Sequence, residues 1–209
     1  SVIVTVGPPN SAPSCEVTAP EDGASGEEGE TVSFEATVED VDVSADWLAV
    51  TWTSDKDGEI GSSTPNSAGE VTFPYADLSV NTHLVSMTVS DEVGSTCTDD
   101  IVYSVGTPPE ISIEAPTSGD VVDEGETVTF QATVSDGEDS YTDLSLSWVS
   151  DLDGEFSTQG SDSTGAIAFT ESSLSVGTHS ITATVTDTDG LYAEAVLLLQ
   201  INGLPTAPV

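Results

Sequence analysis

The sequence predicts an all-β protein made of two tandem Greek-key β-sandwiches with an extra N-terminal strand. Three observations carry this prediction. The 209-residue chain repeats itself at a spacing of 96 residues, short segments alternate apolar and polar residues with a period of two, and no segment of helical length has a 3.6-residue period. Seven or so strands in about 96 residues, separated by turn-forming segments, are typical of a two-sheet sandwich.

The internal repeat is clearest in two motifs. The segment Glu-Gly-Glu-Thr-Val-Ser-Phe at 28–34 returns as Glu-Gly-Glu-Thr-Val-Thr-Phe at 124–130, and Ser-Asp-Lys-Asp-Gly-Glu at 54–59 returns as Ser-Asp-Leu-Asp-Gly-Glu at 150–155. Prolines recur in one register at positions 13, 109 and 205 and mark the boundaries. We therefore predict an N-terminal strand and linker at 1–10, repeats at 11–107 and 108–204, and a following segment or a tail at 205–209.

The individual strands are predicted from alternating polarity. In the second strand of repeat 1, apolar residues at 32, 34, 36 and 38 point to one face and the residues between them point to the other. Further strands of repeat 1 contribute an inward-facing set, each member with a counterpart in repeat 2: Leu48, Val50, Trp52, Val71, Phe73, Val85, Met87, Val89, Ile101, Tyr103 and Val105. We expect these residues to form one core per repeat.

The charge balance excludes whole classes of partner. The chain has 38 acidic residues, one lysine and no arginine, which gives a net charge of −37. Nucleic-acid binding requires clustered basic residues, and anionic membrane surfaces attract basic segments, so neither is an expected partner. Because 36% of the residues are hydrophobic and regularly patterned, we expect a folded protein with an acidic surface rather than a disordered chain. No apolar run is long enough to predict a membrane span.

The repeated motifs resemble a known group of domains. Both repeats contain Glu-Gly-Glu-Thr-Val-x-Phe, Trp-x-Ser-Asp-x-Asp-Gly, and a Thr-His pair followed by Val-x-Asp. These segments are similar to bacterial immunoglobulin-like repeats, akin to the polycystic-kidney-disease and cadherin-like domains of surface proteins. The resemblance covers residues 11–204 and implies that each sandwich is immunoglobulin-like.

Acidic residues are concentrated in the loops at the two ends of each predicted sandwich. Three groups are expected: Glu28, Glu30, Asp55 and Asp57 at the C-terminal end of repeat 1; Asp136, Glu138, Asp139, Asp187 and Asp189 at the N-terminal end of repeat 2; and Asp40, Asp42 and Asp91 at the free end of repeat 1. Carboxylates that share one end repel each other, and almost no basic residue is present to offset them.

Calcium is the cofactor that this arrangement predicts. Ca²⁺ accepts irregular sets of six to eight oxygen ligands, and the loops that contain Asp40 with Asp91, and Asp136 with Asp187, are the stronger candidates because both recur. The alternative is that these acids are solvated turn residues, since Asp-x-Asp-Gly also forms tight turns. A uniformly acidic surface is also expected of proteins from saline habitats, where excess charge keeps them soluble.

The two cysteines predict a disulfide. Cys15 lies at the start of the first strand of repeat 1 and Cys97 at the start of the last, and in a sandwich these strands are parallel neighbours that begin at the same end. The bond would indicate an oxidising compartment outside the cytoplasm. The alternative is a pair of buried free thiols. Repeat 2 has Ile111 and Ala193 at the equivalent positions, where we expect a packed apolar pair.

Three other residues are candidates for specific roles. His83 and His179 occupy one position in the two repeats, so we interpret them as structural rather than catalytic. Trp47 has no counterpart, because Asp143 stands at its position in repeat 2. We expect Trp47 to pack locally, and the alternative is an exposed binding platform.

The N-terminal segment is an apolar strand without a domain of its own. It supplies a candidate subunit contact consisting of Val2, Ile3, Val4 and Val6. One explanation is that the segment is cut from a longer array of repeats. The other is that it completes or extends a sheet in a neighbouring subunit, which would also remove the aggregation hazard of an unpaired apolar strand.

These observations predict a non-enzymatic, extracellular structural protein on the cell surface. We expect an elongated repeat unit of a filament, stalk or adhesin shaft, rigidified by Ca²⁺ and assembled with copies of itself or with adjacent repeats of a longer chain. The alternative is a ligand-binding accessory module of a secreted protein, with a glycan as the ligand.

Overall fold

The computed structural model describes residues 9–205, in which it has sixteen β-strands and no α-helix. The chain divides into two compact units, with unit 1 ending at Gly106 and unit 2 beginning at Thr107. No helix in the described residues has the length and apolarity needed to cross a membrane. The predicted all-β fold with two tandem sandwiches is confirmed. The predicted N-terminal strand and its contact residues Val2, Ile3, Val4 and Val6 lie outside the described residues.

Unit 1 is a sandwich of a three-stranded and a five-stranded sheet. Its strands are β1 (Ser14–Ala19), β2 (Ala24–Glu27), β3 (Val32–Glu39), β4 (Ala49–Ser54), β5 (Gly58–Ser63), β6 (Glu70–Tyr75), β7 (Asn81–Ser90) and β8 (Thr96–Gly106). The smaller sheet has the order β1-β3-β6 and the larger one β2-β8-β7-β4-β5. A single 3₁₀ turn, Ala45–Trp47, lies between β3 and β4.

Unit 2 repeats this architecture strand for strand. Its strands are β9 (Glu110–Ala115), β10 (Asp120–Asp123), β11 (Val128–Ser135), β12 (Ser145–Ser150), β13 (Gly154–Ser157), β14 (Ala166–Glu171), β15 (Gly177–Thr186) and β16 (Tyr192–Asn202). The sheet orders are β14-β11-β9 and β10-β16-β15-β12-β13.

Each unit has one hydrophobic core between its sheets. Trp52 and Trp148 are completely buried, and each packs against a phenylalanine of the opposite sheet, Phe34 and Phe130 respectively. Apart from Val32 and Phe73, which are partly buried, the inward-facing residues predicted for repeat 1 are all buried. Strand alternation therefore located the core correctly, because each strand places one face against the other sheet.

The only parallel pairings in the described residues join a short early strand to the last strand of its unit. In unit 1, β2 pairs with β8, and Ala24 stands opposite Tyr103. In unit 2, β10 pairs with β16, and Asp120 stands opposite Leu199. The chain thus crosses between β1 and β2, and again between β9 and β10, from the smaller sheet to the edge of the larger one.

The predicted disulfide between Cys15 and Cys97 is confirmed, with the two Cα atoms 6.1 Å apart. It differs from the expectation in one respect, since the parallel partner of β8 is β2 and not β1. Because β1 belongs to the smaller sheet and β8 to the larger, the disulfide ties the two sheets together. Two residues further along both strands, the Asp99 carboxylate accepts the backbone N–H of Val17 at 2.7 Å.

Unit 2 lacks both of these ties between its sheets. Ile111 and Ala193 replace the cysteines, and both are partly buried against the core, as predicted. Ala195 stands where Asp99 stands in unit 1. Apolar packing alone therefore joins β9 to β16 at these positions.

Candidate functional site

The predicted acidic cluster at the free end of unit 1 is held by two residues that precede β1. The Asn10 side-chain amide donates to Asp91 Oδ2 at 2.7 Å, and the Ser11 backbone N–H donates to Asp42 Oδ2 at 2.6 Å. The Asn10–Ser11 pair therefore clasps the β3–β4 loop, which contains Asp42, to the β7–β8 loop, which begins at Asp91. Sequence reasoning missed these two hydrogen bonds. The available signal was that Asn10 precedes the first predicted strand, at the end of the sandwich where both acidic loops are expected.

The carboxylate oxygens at this end differ in how many hydrogen bonds they accept. The hydrogen bond from Asn10, followed by those from the backbone N–H groups of Ser95, Val93 and Gly94, lowers the pKa of Asp91. Asp40 Oδ1 accepts the N–H groups of the loop itself, whereas Asp40 Oδ2 is buried with no hydrogen-bond partner.

The equivalent end of unit 2 has the same loop geometry but a different balance of charge. Asp136 Oδ1 accepts two loop N–H groups, and Asp136 Oδ2 is buried without a hydrogen-bond partner, as in Asp40. Burial, reinforced by repulsion from Asp136, raises the pKa of Asp187. The residue 96 positions after Asn10 is Gly106, so the sequence provides no equivalent amide for Asp187.

The other predicted ligands in these loops of unit 2 bind hydroxyl groups. Glu138 accepts both the backbone N–H and the hydroxyl of Thr107, with its closest hydroxyl contact at 2.8 Å. Asp139 accepts the N–H and the hydroxyl of Thr188, which joins the β11–β12 loop to the β15–β16 loop. Asp189 is exposed beside them. The structure thus brings Asp136 and Asp187 together, and within residues 9–205 no three acidic, histidine or cysteine side chains form a group able to hold a metal. Calcium binding stays a prediction.

The acids predicted at the opposite end of unit 1 stabilise turns. Asp55 accepts Lys56 Nζ at 2.6 Å and the Leu84 N–H at 2.8 Å, and these bonds lower its pKa. Asp57 accepts the backbone N–H and the hydroxyl of Ser79, which lower its pKa in the same way, the N–H most strongly.

The two glutamates of that group lie in the turn after β2. Glu30 Oε2 faces the Glu27 N–H at 3.4 Å, and the Glu28 N–H donates to the Gly106 carbonyl at 3.0 Å. Of the four predicted ligands, Glu30 and Asp55 thus accept hydrogen bonds within their own turns, Asp55 and Asp57 also accept them from the segments at Leu84 and Ser79, and Glu28 contributes a backbone hydrogen bond.

The buried histidines are structural, as predicted. His83 Nε2 lies 2.6 Å from the Ser79 carbonyl, so this nitrogen carries the proton, and Nδ1 lies 2.8 Å from Ser54 Oγ. Asp57 is also near Nδ1, at 3.7 Å. A catalytic triad requires the serine and the acid on different ring nitrogens, whereas here both face one nitrogen of a fully buried ring. His179 repeats the arrangement with Ser150.

The prediction that Trp47 packs locally is wrong, because 74% of its surface is exposed. Trp47 ends the 3₁₀ turn, which contains no buried residue, and the neighbouring Ala45 packs against the core in its place. Val41, in the same loop, is 79% exposed. This loop therefore presents two large apolar side chains among acids.

Comparisons with known proteins agree with this architecture. Residues 15–99, in unit 1, match the PKD domain family, and residues 109–183, in unit 2, match the bacterial Ig domain family. The predicted resemblance to bacterial immunoglobulin-like and polycystic-kidney-disease repeats is thus confirmed. No curated protein is significantly similar in sequence.

Two solved structures show the same fold. The fibronectin(III)-like modules of Clostridium thermocellum CbhA are 18% identical over 94% of this chain and 99% of that one, with a TM-score of 0.55. An I-band fragment of titin is 16% identical over 92% of this chain and 67% of that one, with a TM-score of 0.50. The chain is therefore a tandem pair of immunoglobulin-like sandwiches.

Proposed function

We propose that this chain is a load-bearing structural module of an extracellular surface protein, such as a filament, stalk or adhesin shaft, and catalyses no reaction. The parallel pairing of β10 with β16 in unit 2, which no disulfide bypasses, carries the proposal. Because one strand lies near the start of its unit and the other ends it, tension along the chain pulls the paired strands in opposite directions. Their hydrogen bonds are then loaded together and not one after another.

The disulfide and the charge support the proposed location. A disulfide persists in an oxidising environment, which supports a position outside the cytoplasm. A net charge of −37 keeps neighbouring modules apart and soluble, which suits a densely displayed surface protein.

The load-bearing role can be tested at one hydrogen bond. The Glu124 N–H, at the end of β10, donates to the Asn202 carbonyl at 2.8 Å. Glu124→Pro removes this donor, whereas Glu124→Ala keeps it and serves as the matched control. In single-molecule pulling through the two ends of the chain, we expect the proline variant to unfold unit 2 at a lower force than the alanine variant. Equal forces in both variants would refute the shear mechanism.

We also propose that Ca²⁺ binds the loops of unit 2 that bring Asp136 and Asp187 together, with further oxygen ligands from Glu138, Asp139 and Asp189. Two observations support this site. Burial and repulsion from Asp136 raise the pKa of Asp187, and Asp136 Oδ2 is buried without a hydrogen-bond partner. The corresponding loops of unit 1, which contain Asp40, Asp42 and Asp91, form a weaker site because the Asn10 amide already serves Asp91.

Thermal unfolding in Ca²⁺ and in chelator, at matched ionic strength, tests the calcium site. Ca²⁺ at 100 times its dissociation constant should stabilise unit 2 by about 2.7 kcal/mol. Asp187→Asn should remove this gain. Asp143→Asn makes the same charge change at an exposed position of the same β11–β12 loop and should keep it. A gain no larger than that from a monovalent salt would show that these are solvated acidic turns.

Copies of the chain, or adjacent repeats of a longer one, are the proposed partners, with Val2, Ile3, Val4 and Val6 as a donated strand. The apolar alternation of this segment supports the proposal. Deletion of residues 1–7 should abolish self-association, as measured by sedimentation, and leave both unfolding transitions in place. Persistent assembly of the truncated chain would rule out strand donation.

A second candidate function, glycan binding, is favoured by the exposed indole of Trp47. Exposed aromatic rings, polar at one edge and apolar on their faces, are common in binding surfaces. On a glycan array, Trp47→Ala should then lose the signal of the parent protein, and Val93→Ala, an exposed apolar residue of the β7–β8 loop, should keep it. An array without any signal from the parent would leave only the structural role.

A further inference from the structure

We propose that the Cys15–Cys97 disulfide carries tension past unit 1, so that unit 1 cannot lengthen under load while unit 2 can. The inference deepens the proposed load-bearing role and rests on it for its biological use. Its basis is the position of the bond. Cys15 is the second residue of β1, the first strand of unit 1, and Cys97 is the second residue of β8, the last strand.

The load path through unit 1 bypasses almost the whole domain. Tension that arrives at β1 passes through the Cys15 sulfur to Cys97 and leaves along β8. The cysteines are separated by 82 positions in the sequence, and everything between them lies in a closed loop that bears no end-to-end tension. This loop contains six of the eight strands, β2 to β7, and most of β1.

The segment that remains in the load path of unit 1 is already extended. From Cys97 to Gly106 the chain is continuous β-strand, which rises about 3.3 Å per residue and cannot exceed about 3.6 Å per residue. Complete loss of the fold in unit 1 would therefore lengthen this segment by only a few ångströms. Denaturation and extension are separate events in this unit.

Unit 2 has the equivalent parallel pair, β10 with β16, but no disulfide that carries tension past it. Ile111 and Ala193 replace the cysteines, so the covalent path from β9 to the end of β16 runs through every residue between them. Once the hydrogen bonds of the unit break, the whole segment can extend. The segment from Glu110 to Asn202, roughly 90 residues, would extend to at most about 320 Å. The folded unit already spans about 35 Å along β16, so unfolding of unit 2 releases on the order of 290 Å.

Both cysteines are partly buried, and an open groove at Cys15 gives a reductant a route toward the disulfide. Cys15 lines an open groove of about 600 Å³ together with Glu16, Glu39 and Asp40. A dithiol reductant attacks one sulfur as its thiolate, forms a mixed disulfide, and closes to its own cyclic disulfide. It gives up two electrons, and Cys15 and Cys97 leave as thiols. Because the groove is acidic and the attacking group is an anion, added salt should accelerate the reduction.

Single-molecule pulling of the full chain by its two ends tests the bypass. With the disulfide intact we expect one length increment of about 290 Å, from unit 2. In a dithiol reductant we expect two increments of about that size. The variant Cys15→Ile with Cys97→Ala, which carries the pair found in unit 2, should give two increments without reductant and should not respond to it.

The contour length at full extension is a second readout that does not require the variant to fold. Breaking the disulfide should add about 290 Å to it whether or not unit 1 folds. Two long increments from the oxidised parent, or an equal contour length with and without the bond, would overturn the inference. A low unfolding force in unit 2 would contradict the load-bearing role but leave these lengths unchanged, so the two failures are distinguishable.

Discussion

Units 1 and 2 share a fold but differ in what joins their sheets and in how their loop carboxylates are satisfied. The strand orders correspond one to one, and both units bury a tryptophan and a serine-bonded histidine at the same positions. Unit 1 adds a disulfide and the Asp99–Val17 hydrogen bond between its sheets, whereas unit 2 relies on apolar contacts there.

The difference separates what the sandwich requires from what is added to it. Core alternation and the turn motifs recur in both units, because neither sheet is stable without burial of its inner face. The disulfide, the Asn10 amide and the exposed Trp47 occur once each. These single features are therefore the ones that give the two units different properties, and exchanges between the units can test them.

The largest expected effect comes from giving unit 1 the apolar pair of unit 2. Cys15→Ile with Cys97→Ala opens a covalent loop of 82 positions, and the loss of this constraint on the unfolded chain should lower the unfolding free energy of unit 1 by about 4 kcal/mol. Calorimetry of the full chain should show one transition moved to lower temperature. The transition of unit 2 is the internal control, and its displacement by a similar amount would contradict independent units.

A smaller effect is expected at the buried tryptophans. Trp52 Nε1 donates to Ser63 Oγ at 2.9 Å, whereas Trp148 Nε1 is buried without a hydrogen-bond partner. Tryptophan to phenylalanine leaves a comparable cavity in both units but breaks a hydrogen bond only in unit 1. The Trp52→Phe variant should therefore lose about 1 kcal/mol more than Trp148→Phe, as measured by denaturant unfolding. A larger loss in unit 2 would show that cavity shape outweighs the hydrogen bond.

The smallest expected effects have opposite signs in the two units. Because the folded-state pKa of Asp91 is lowered, its ionised form stabilises unit 1 above the unfolded pKa, about 3.9, and this contribution is lost as the pH falls through the folded pKa. The pKa of Asp187 is raised, so a penalty develops in unit 2 as the pH rises from about 3.9 through the folded pKa.

In chelator at pH 7, Asp91→Asn should thus destabilise unit 1 and Asp187→Asn should stabilise unit 2. The effect in unit 2 should shrink as the pH is lowered toward the pKa of the unfolded carboxyl, about 3.9, whereas the effect in unit 1 should shrink only below that value, as the pH falls through the folded pKa of Asp91. Unfolding curves at several pH values measure them. The same sign for both variants at neutral pH would mean that the Asn10 amide does not distinguish the two ends.

The sequence was informative where a property depends on local pattern. Alternation located the core strands, the positions of Cys15 and Cys97 at the starts of the first and last strands of repeat 1 predicted the disulfide, and the equivalence of the repeats identified the structural histidines. The four-residue strands β2 and β10 were not predicted as partners of the last strands, because four residues are too few for a reliable period. The roles of Asp57 and Asp139 were not predicted either, since their partners Ser79 and Thr188 lie in other loops.

Trp47 is a case in which residue type predicted burial but the tertiary structure leaves the side chain exposed. Its residue type favours burial, but its position at the end of a 3₁₀ turn gives it no apolar neighbour to cover it, and that turn has no distinct signature in the sequence. Side chains that depend on the meeting of two loops are fixed by tertiary structure and not by local pattern.

Lys56, the only lysine or arginine in the sequence, forms an ion pair with Asp55 in the tight β4–β5 turn. It gives the chain a single site for proteolysis after a basic residue and for labelling of a lysine. Proteases that cut after basic residues find one peptide bond to attack in the whole sequence, between Lys56 and Asp57. A cut there leaves the two fragments joined through Cys15 and Cys97, so a nicked molecule would still carry tension. An amine-reactive probe meets one side chain, in the middle of unit 1, which makes the wild-type protein a substrate for labelling at a single defined lysine.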